Sequence, residues 1–388
     1  MKTLLRRSLF FSILLFLVLL APHASGDGTD YYPPRGNWQR AAPQAVGMNA
    51  EKLATAIAFA QSEAVVEPRD LATAITNSFS PREPDFKILG PTKARQGSAG
   101  LVIRKGYIVA EWGDLERVDM TFSVVKSYLS TMMALALRDG LIDNIHAPVS
   151  RWMRDGEFAS EHNRDITWHH LMNQTSDWQG TLWGVPDWAD RPEGEDRSMW
   201  PKRELHEPGS HFKYNDVRIN LAAYSLLQVW RQPLPMVIKR EVMDPIGAST
   251  TWRWHGYENS WVSLDGQRMQ SVSGGGHFGG GLFINTLDHA RMGLLFLRNG
   301  NWQGRQILPE NWITAMRQPT PAKPDYGYMW WLNTNRESIP AAPESAFYAA
   351  GFGGNYIYID QQNDLLIVLR WIPPIAEVVE AVMTALDD

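Results

Sequence analysis

Two serines in this chain are followed three residues later by a lysine: Ser123-Val-Val-Lys126 and Ser210-His-Phe-Lys213. On a helix such a pair shares one face, which sets the lysine amine beside the serine hydroxyl. A serine at a helix N-terminus also meets the positive end of the dipole, which favours negative charge developing on its oxygen. That is the chemistry of an activated nucleophile. The spacing arises by chance about once or twice in a chain of this length, so context has to separate the two. Ser123 opens a stretch to Leu137 that is apolar on nearly every side and stops at Asp139-Gly140, the pattern of a buried helix ended by glycine. Lys126 is then a cation on an apolar surface, costly unless it is partnered or gives up its proton. Ser210 lies in the turn Pro208-Gly-Ser-His and reads as a chance match. Serine is also a good helix N-cap, so the residues alone leave Ser123 open between nucleophile and cap.

Other chemistries find less support. Among the 388 residues there is no cysteine, which removes disulfide frameworks, thiolate metal sites and thiol nucleophiles. Gly-x-Ser-x-Gly, His-Glu-x-x-His and P-loop patterns are absent from the sequence. Gly274-Gly-Gly-His-Phe-Gly279 matches the dinucleotide-binding pattern in form, but no strand–helix unit with a later acidic partner frames it. His162, His169 and His170 sit in a Trp-rich segment and read as packing or hydrogen-bonding residues rather than metal ligands. No cofactor and no metal are expected.

The elements that must position these residues follow from periodicity. Lys2, Arg6 and Arg7 precede an apolar run from Leu9 to Ala21, with Ala24 and Gly26 before Asp27. This predicts a signal peptide over 1–26, too short to span a bilayer, and an exported, periplasmic or secreted product. Removing it would take the formal charge from −5 to −8, a poor match to nucleic acid or an anionic membrane. Residues 27–48 read as an irregular lead-in and 49–388 as one catalytic domain. Asn49 caps a helix to about Ala64. Leu101 to Trp112 reads as a β-hairpin about Lys105-Gly106. Helices are expected over Val217–Trp230, Asp288–Leu297 and from about Ile375, and strands over Phe347–Gly351, Asn355–Asp360 and Leu365–Trp371. The fold class expected is α+β. An antiparallel sheet forms from the N- and C-terminal segments, helices flank it, and a mostly helical subdomain is inserted over roughly 125–270.

Several ordered segments together resemble the serine β-lactamase and penicillin-binding-protein family. The similarity is greatest to its class C-like branch, with the family VIII carboxylesterases and 6-aminohexanoate-dimer hydrolases. Thr121-Phe-Ser-Val-Val-Lys-Ser127 is similar to the first motif. Ile166 to Ser176 resembles the segment after the central helix. Pro208 to Asp216 stands where that branch carries Tyr-x-Asn, about ninety residues after the serine. Gly280 to Arg291, Tyr326 to Trp331 and Gly351 to Asp360 also resemble the family.

The resemblance implies acyl transfer, with Ser123 attacking a carbonyl, an acyl-enzyme intermediate, and hydrolysis by water. Lys126 and Tyr214 would share the base role, a phenol needing a neighbouring cation to ionise near neutrality. The oxyanion would be held by the Ser123 N–H and a second N–H near Gly351 and Phe352. Two departures bear on substrate. The third motif, Lys-Thr-Gly or a His/Trp-x-Gly variant, is replaced by Tyr348-Ala-Ala-Gly351, without a cation for the carboxylate of a β-lactam. Asp216 replaces the usual Asn and reads either as the N-cap of the following helix or as a substrate-orienting group. Trp178, Trp183 and Trp188 fall where a cleft wall would lie, Trp178 being the candidate for substrate contact. The expectation is therefore an exported serine esterase or amidase acting on a small molecule, with no membrane span after maturation. A β-lactamase, a DD-peptidase-like protein and a catalytically silent binding relative are the alternatives.

Overall fold

The hairpin about Lys105-Gly106 forms because both turn residues take positive φ, 52° and 84°, the backbone of a tight turn whose twist suits flanking strands. It joins β1 (Ala99–Arg104) to β2 (Tyr107–Trp112). The computed structural model describes residues 30–66, 68–153 and 156–387, so the signal peptide predicted over 1–26 lies outside the described residues. Tyr31–Asp388 forms one compact unit.

Eleven strands position the site. After β1 and β2 come β3 (Asp119–Met120), β4 (Arg253–Leu264), β5 (Gln267–Val272), β6 (Gly281–Ile284), β7 (Tyr326–Gly327), β8 (Trp330–Leu332), β9 (Phe347–Gly351), β10 (Asn355–Asp360) and β11 (Leu365–Arg370). Among the described residues the main sheet is antiparallel with order β7-β8-β9-β10-β11-β1-β2, so the first and last long strands are neighbours within it. Its two faces can be read from alternate residues. Leu101, Ile103, Leu366 and Val368 enter one buried cluster, while Val102, Leu365, Ile367 and Leu369 enter another. Both faces are covered, which is why β1 and β11 are apolar at successive positions rather than alternating. Helix α1 (Ala50–Ser62), capped by Asn49 through the amides of Glu51 and Lys52, shares one cluster with α6 (Ile375–Met383). Helices α3 (Val125–Arg138) and α5 (Thr286–Leu297) contribute to the other. The strands and helices read from the sequence at both ends are present, and the fold is α+β as expected.

Two stretches differ. Residues 253–272, read as part of the helical insertion, form the strands β4 and β5 of a second sheet with order β3-β6-β4-β5. Their Trp, Arg, His and Ser residues do not alternate cleanly in polarity, because β4 is half-buried and its pairing with β5 breaks register between Gly256 and Trp261. Helix α2 (Leu71–Phe79), capped by Asp70, lies in a region where periodicity predicts no element. The two sheets are tied by Arg370. It donates through Nε to Asn355 Oδ1 at 2.7 Å, through Nη1 to the Ile284 carbonyl at 3.0 Å and through Nη2 to the Met120 carbonyl at 2.9 Å.

Candidate active site

Ser123 lies in a 3₁₀ turn, Phe122–Val124, that leads directly into α3. Phe122 has a φ of 49°, a left-handed conformation unusual for a bulky residue, so the backbone bends sharply just before the serine. The bend is held by the Thr121 amide donating to the Leu282 carbonyl at 2.9 Å. Ser123 is half-buried, and α3 is buried from Val125 to Ala136, so the helix forms a rigid apolar post beneath an accessible hydroxyl. Lys126 is 1% exposed and its Nζ donates to Ser123 Oγ at 2.9 Å. The serine is not serving as a side-chain cap of α3.

The partner of Lys126 is Asp216, in a buried ion pair from the first residue of α4 (Asp216–Trp230). The N-cap reading of Asp216 is corrected here: Asn215 caps α4, its Oδ1 accepting from the Arg218 amide at 2.9 Å. This frees the Asp216 carboxylate to face α3. Burial opposes ionising this carboxyl, but the charges of Lys126 and Arg191 outweigh it and hold the group well below the usual carboxylate range. Gly275 explains the glycine-rich loop, because a Cβ there would overlap the Asp216 carboxylate. That loop is a packing surface for the ion pair, not a nucleotide site.

Tyr214 completes the group. Its ring centroid is 4.6 Å from Lys126 Nζ and 5.3 Å from the Arg191 guanidinium, and the ring stacks at 6.0 Å on Trp331 of β8. Gly351 ends β9 against the serine turn. A Cβ there would overlap the Thr121 carbonyl oxygen and lie 3.2 Å from the Ser123 amide nitrogen. Phe352 follows it, with its ring edge-on to Phe122 at 5.1 Å. Five of the residues read from the sequence, Ser123, Lys126, Tyr214, Asp216 and Gly351, therefore meet, with Phe352 beside them. Trp178 does not join them. It is 1% exposed in the main core, its indole N–H donating to the Glu157 carbonyl at 2.7 Å, because burying the ring there satisfies both its area and its polar atom. Ser210 donates to the Glu207 carbonyl in an exposed turn, as its context suggested.

A second set of groups escaped the sequence reading. Arg191 Nη1 donates to Asp190 Oδ1 at 2.6 Å and Nη2 to His277 Nδ1 at 3.0 Å. His277 Nε2 donates to Glu83 Oε2 at 2.7 Å, the tautomer following from its two partners. The Asp216 amide donates to Asp190 Oδ2, which joins this network to the Lys126 pair. The partners lie up to 194 residues apart, so no local spacing marks them; the unexplained His277 within a glycine run was the one available signal. Ligand-type atoms of Glu83, Asp190 and His277 lie within 4.8 Å of one another. The Arg191 guanidinium donates to Asp190 and His277 and its backbone amide to Glu83, so Arg191 already supplies the positive charge a metal would bring, and the set does not fit an ion. His162, His169 and His170 bind separate partners: the Asp177 carbonyl, the Tyr328 hydroxyl and the Thr167 amide.

The model of the beta-lactamase family matches residues 87–370, and the chain belongs to that family. Solved structures similar to it carry the same fold. One is a family VIII carboxylesterase, at 16% identity and TM-score 0.55, covering 88% of this chain and 99% of that one. A protein named as a 6-aminohexanoate-dimer hydrolase from Bacillus anthracis has 16% identity and TM-score 0.51, covering 80% and 79%. A penicillin-binding protein from Bacillus halodurans has 16% identity and TM-score 0.53, covering 81% and 98%. No curated protein matches the chain. Among the described residues no helix is long and apolar enough to cross a membrane.

Proposed function

We propose that this protein is an exported serine hydrolase that cleaves a small ester or amide through an acyl-enzyme on Ser123. The observation that carries the reading is the 2.9 Å contact between Lys126 Nζ and a half-buried Ser123 Oγ, with Gly351 pressed on the backbone of the same turn. Lys126, ion-paired with Asp216, is the fixed cation that orients the hydroxyl and faces the Tyr214 ring. The serine proton passes to the Lys126–Tyr214 pair as Oγ attacks the carbonyl carbon, and from there to the leaving alcohol or amine as that bond breaks. Water then repeats the sequence on the acyl-enzyme, releasing the acid. The developing oxyanion sits between the Ser123 N–H and the N–H of Phe352, at the end of β9. The hydrolases among the similar folds support this class of reaction, and the leader over 1–26 supports export.

The test is intact-protein mass after mixing the chain with p-nitrophenyl butyrate, with absorbance followed in parallel. Turnover or a butyryl adduct that Ser123→Ala abolishes is the expected result. Unchanged turnover in that variant would remove Ser123 from the mechanism. A stable penicillin adduct would instead move the protein towards the penicillin-binding group.

A further inference from the structure

Residues 71–83 precede the stretch matched by the family model, yet they pack against residues that flank the serine turn. Asp70 starts α2 by accepting from the Ala72 amide, and Leu71, Ala74 and Ile75 bury beneath it. This places the half-buried Phe79 at the helix end, with its ring 5.5 Å from Phe352 and 4.0 Å from His277. Phe352 packs in turn on Phe122, the residue before Ser123. A chain of ring contacts thus runs from the buried Phe122 through the half-buried Phe352 to Phe79 on α2. Glu83, 5% exposed, fastens the segment, its Oε1 accepting from the Arg191 amide at 3.2 Å and its Oε2 from His277.

Charge narrows what that surface would accept. Lys126 is matched by Asp216 and Arg191 by Asp190. Glu83 adds a carboxylate whose partner His277 donates from Nε2, its Nδ1 accepting from Arg191. Glu83 is thus a buried carboxylate beyond those two pairs, in a setting that disfavours a further anion more than an uncharged ring.

Resting on the assignment of Ser123 as nucleophile, we propose that Leu71–Glu83 is the substrate-selecting wall of the site. Phe79 is its specificity-determining residue, and the class it selects is esters or amides with an uncharged aromatic acyl group, carboxylate-bearing acyl groups being disfavoured. Aromatic packing provides the preference for a flat group, and the excess carboxylate provides the exclusion.

The experiment compares kcat/KM for ethyl phenylacetate, ethyl hexanoate and monoethyl glutarate by proton release, in the wild-type chain and in Phe79→Leu and Phe79→Ala. The phenylacetate-to-hexanoate ratio should exceed one and fall about fivefold in both variants, the size of an aromatic pair contribution. Monoethyl glutarate should be slower than the hexanoate by roughly tenfold at low salt, with the gap narrowing as salt rises. A ratio unmoved by either variant, or a glutarate ester hydrolysed as fast as the hexanoate, would overturn the wall. Labelling by a serine-directed phosphonate tells this failure apart from the other. Labelled Ser123 with the wrong ranking removes the wall alone, whereas unlabelled Ser123 without turnover removes the hydrolase assignment and the wall with it.

Discussion

Replacing Asp216 by alanine removes one half of the ion pair beneath the serine. Both side chains are 1% exposed, so Lys126 would be left as an uncompensated buried cation. Breaking a buried pair in this way costs about 3–5 kcal/mol. For the folded unit Tyr31–Asp388, an unfolding entropy of about 2.1 cal/mol/K per residue converts this to a fall in Tm of roughly 4–7 °C. The effect also has a pH signature. The Asp216 carboxyl is held below the usual range in the folded state, so its contribution is complete above the unfolded value of about 3.9. It is lost as the pH falls below that towards the folded value. The difference in Tm between wild type and Asp216→Ala should therefore be constant from pH 7.5 to about 5 and shrink below about pH 4. Thermal unfolding followed by near-ultraviolet circular dichroism across that range measures it. A loss under about 1 °C at pH 7 would refute the pair as a structural element. A gap that stays constant or widens below pH 4 would refute the assignment of the charge to Asp216.

Other outcomes follow from the same geometry. Gly351→Ala would push a methyl group into the Thr121 carbonyl, so acylation of Ser123 in stopped-flow ester hydrolysis should fall by about tenfold or more. Acylation at the wild-type rate would show that β9 does not set the serine turn. Trp178→Phe should lose about 1 kcal/mol in urea unfolding through the missing bond to Glu157, with kcat/KM unchanged. A changed substrate preference in that variant would return Trp178 to the cleft wall.

What could be read beforehand divides along physical lines. The strands Phe347–Gly351 and Asn355–Asp360 and the helix beginning at Ile375 were legible because their apolar runs are bounded by Gly, Pro and Asp punctuation. The buried character of α3 was legible because the stretch from Ser123 to Leu137 is apolar on nearly every side, and Lys126 stood out against it. Asp216 was located, but its role was not, since only the three-dimensional course of α4 shows that Asn215 does the capping. Glu83, Asp190 and Arg191 were illegible because each sits in a loop, where a charge ordinarily faces water, and their partners come from distant parts of the chain. Phe79 was hidden in a segment whose periodicity is short, nine residues, and whose purpose appears only against Phe352.

The pairing of β1 with β11, Ala99 opposite Arg370, bears on how the complete site arises in time. A chain grown only as far as α5 already holds Ser123, Lys126 and Asp216, but has neither Gly351 nor the strand that β1 must pair with. The sheet closes last, across nearly the whole length of the folded unit, and pairing at that separation is intrinsically slow. Nascent and truncated chains thereby lack the complete site. On the proposed function the competent form appears only once the final strands dock, so catalysis would report completion of folding.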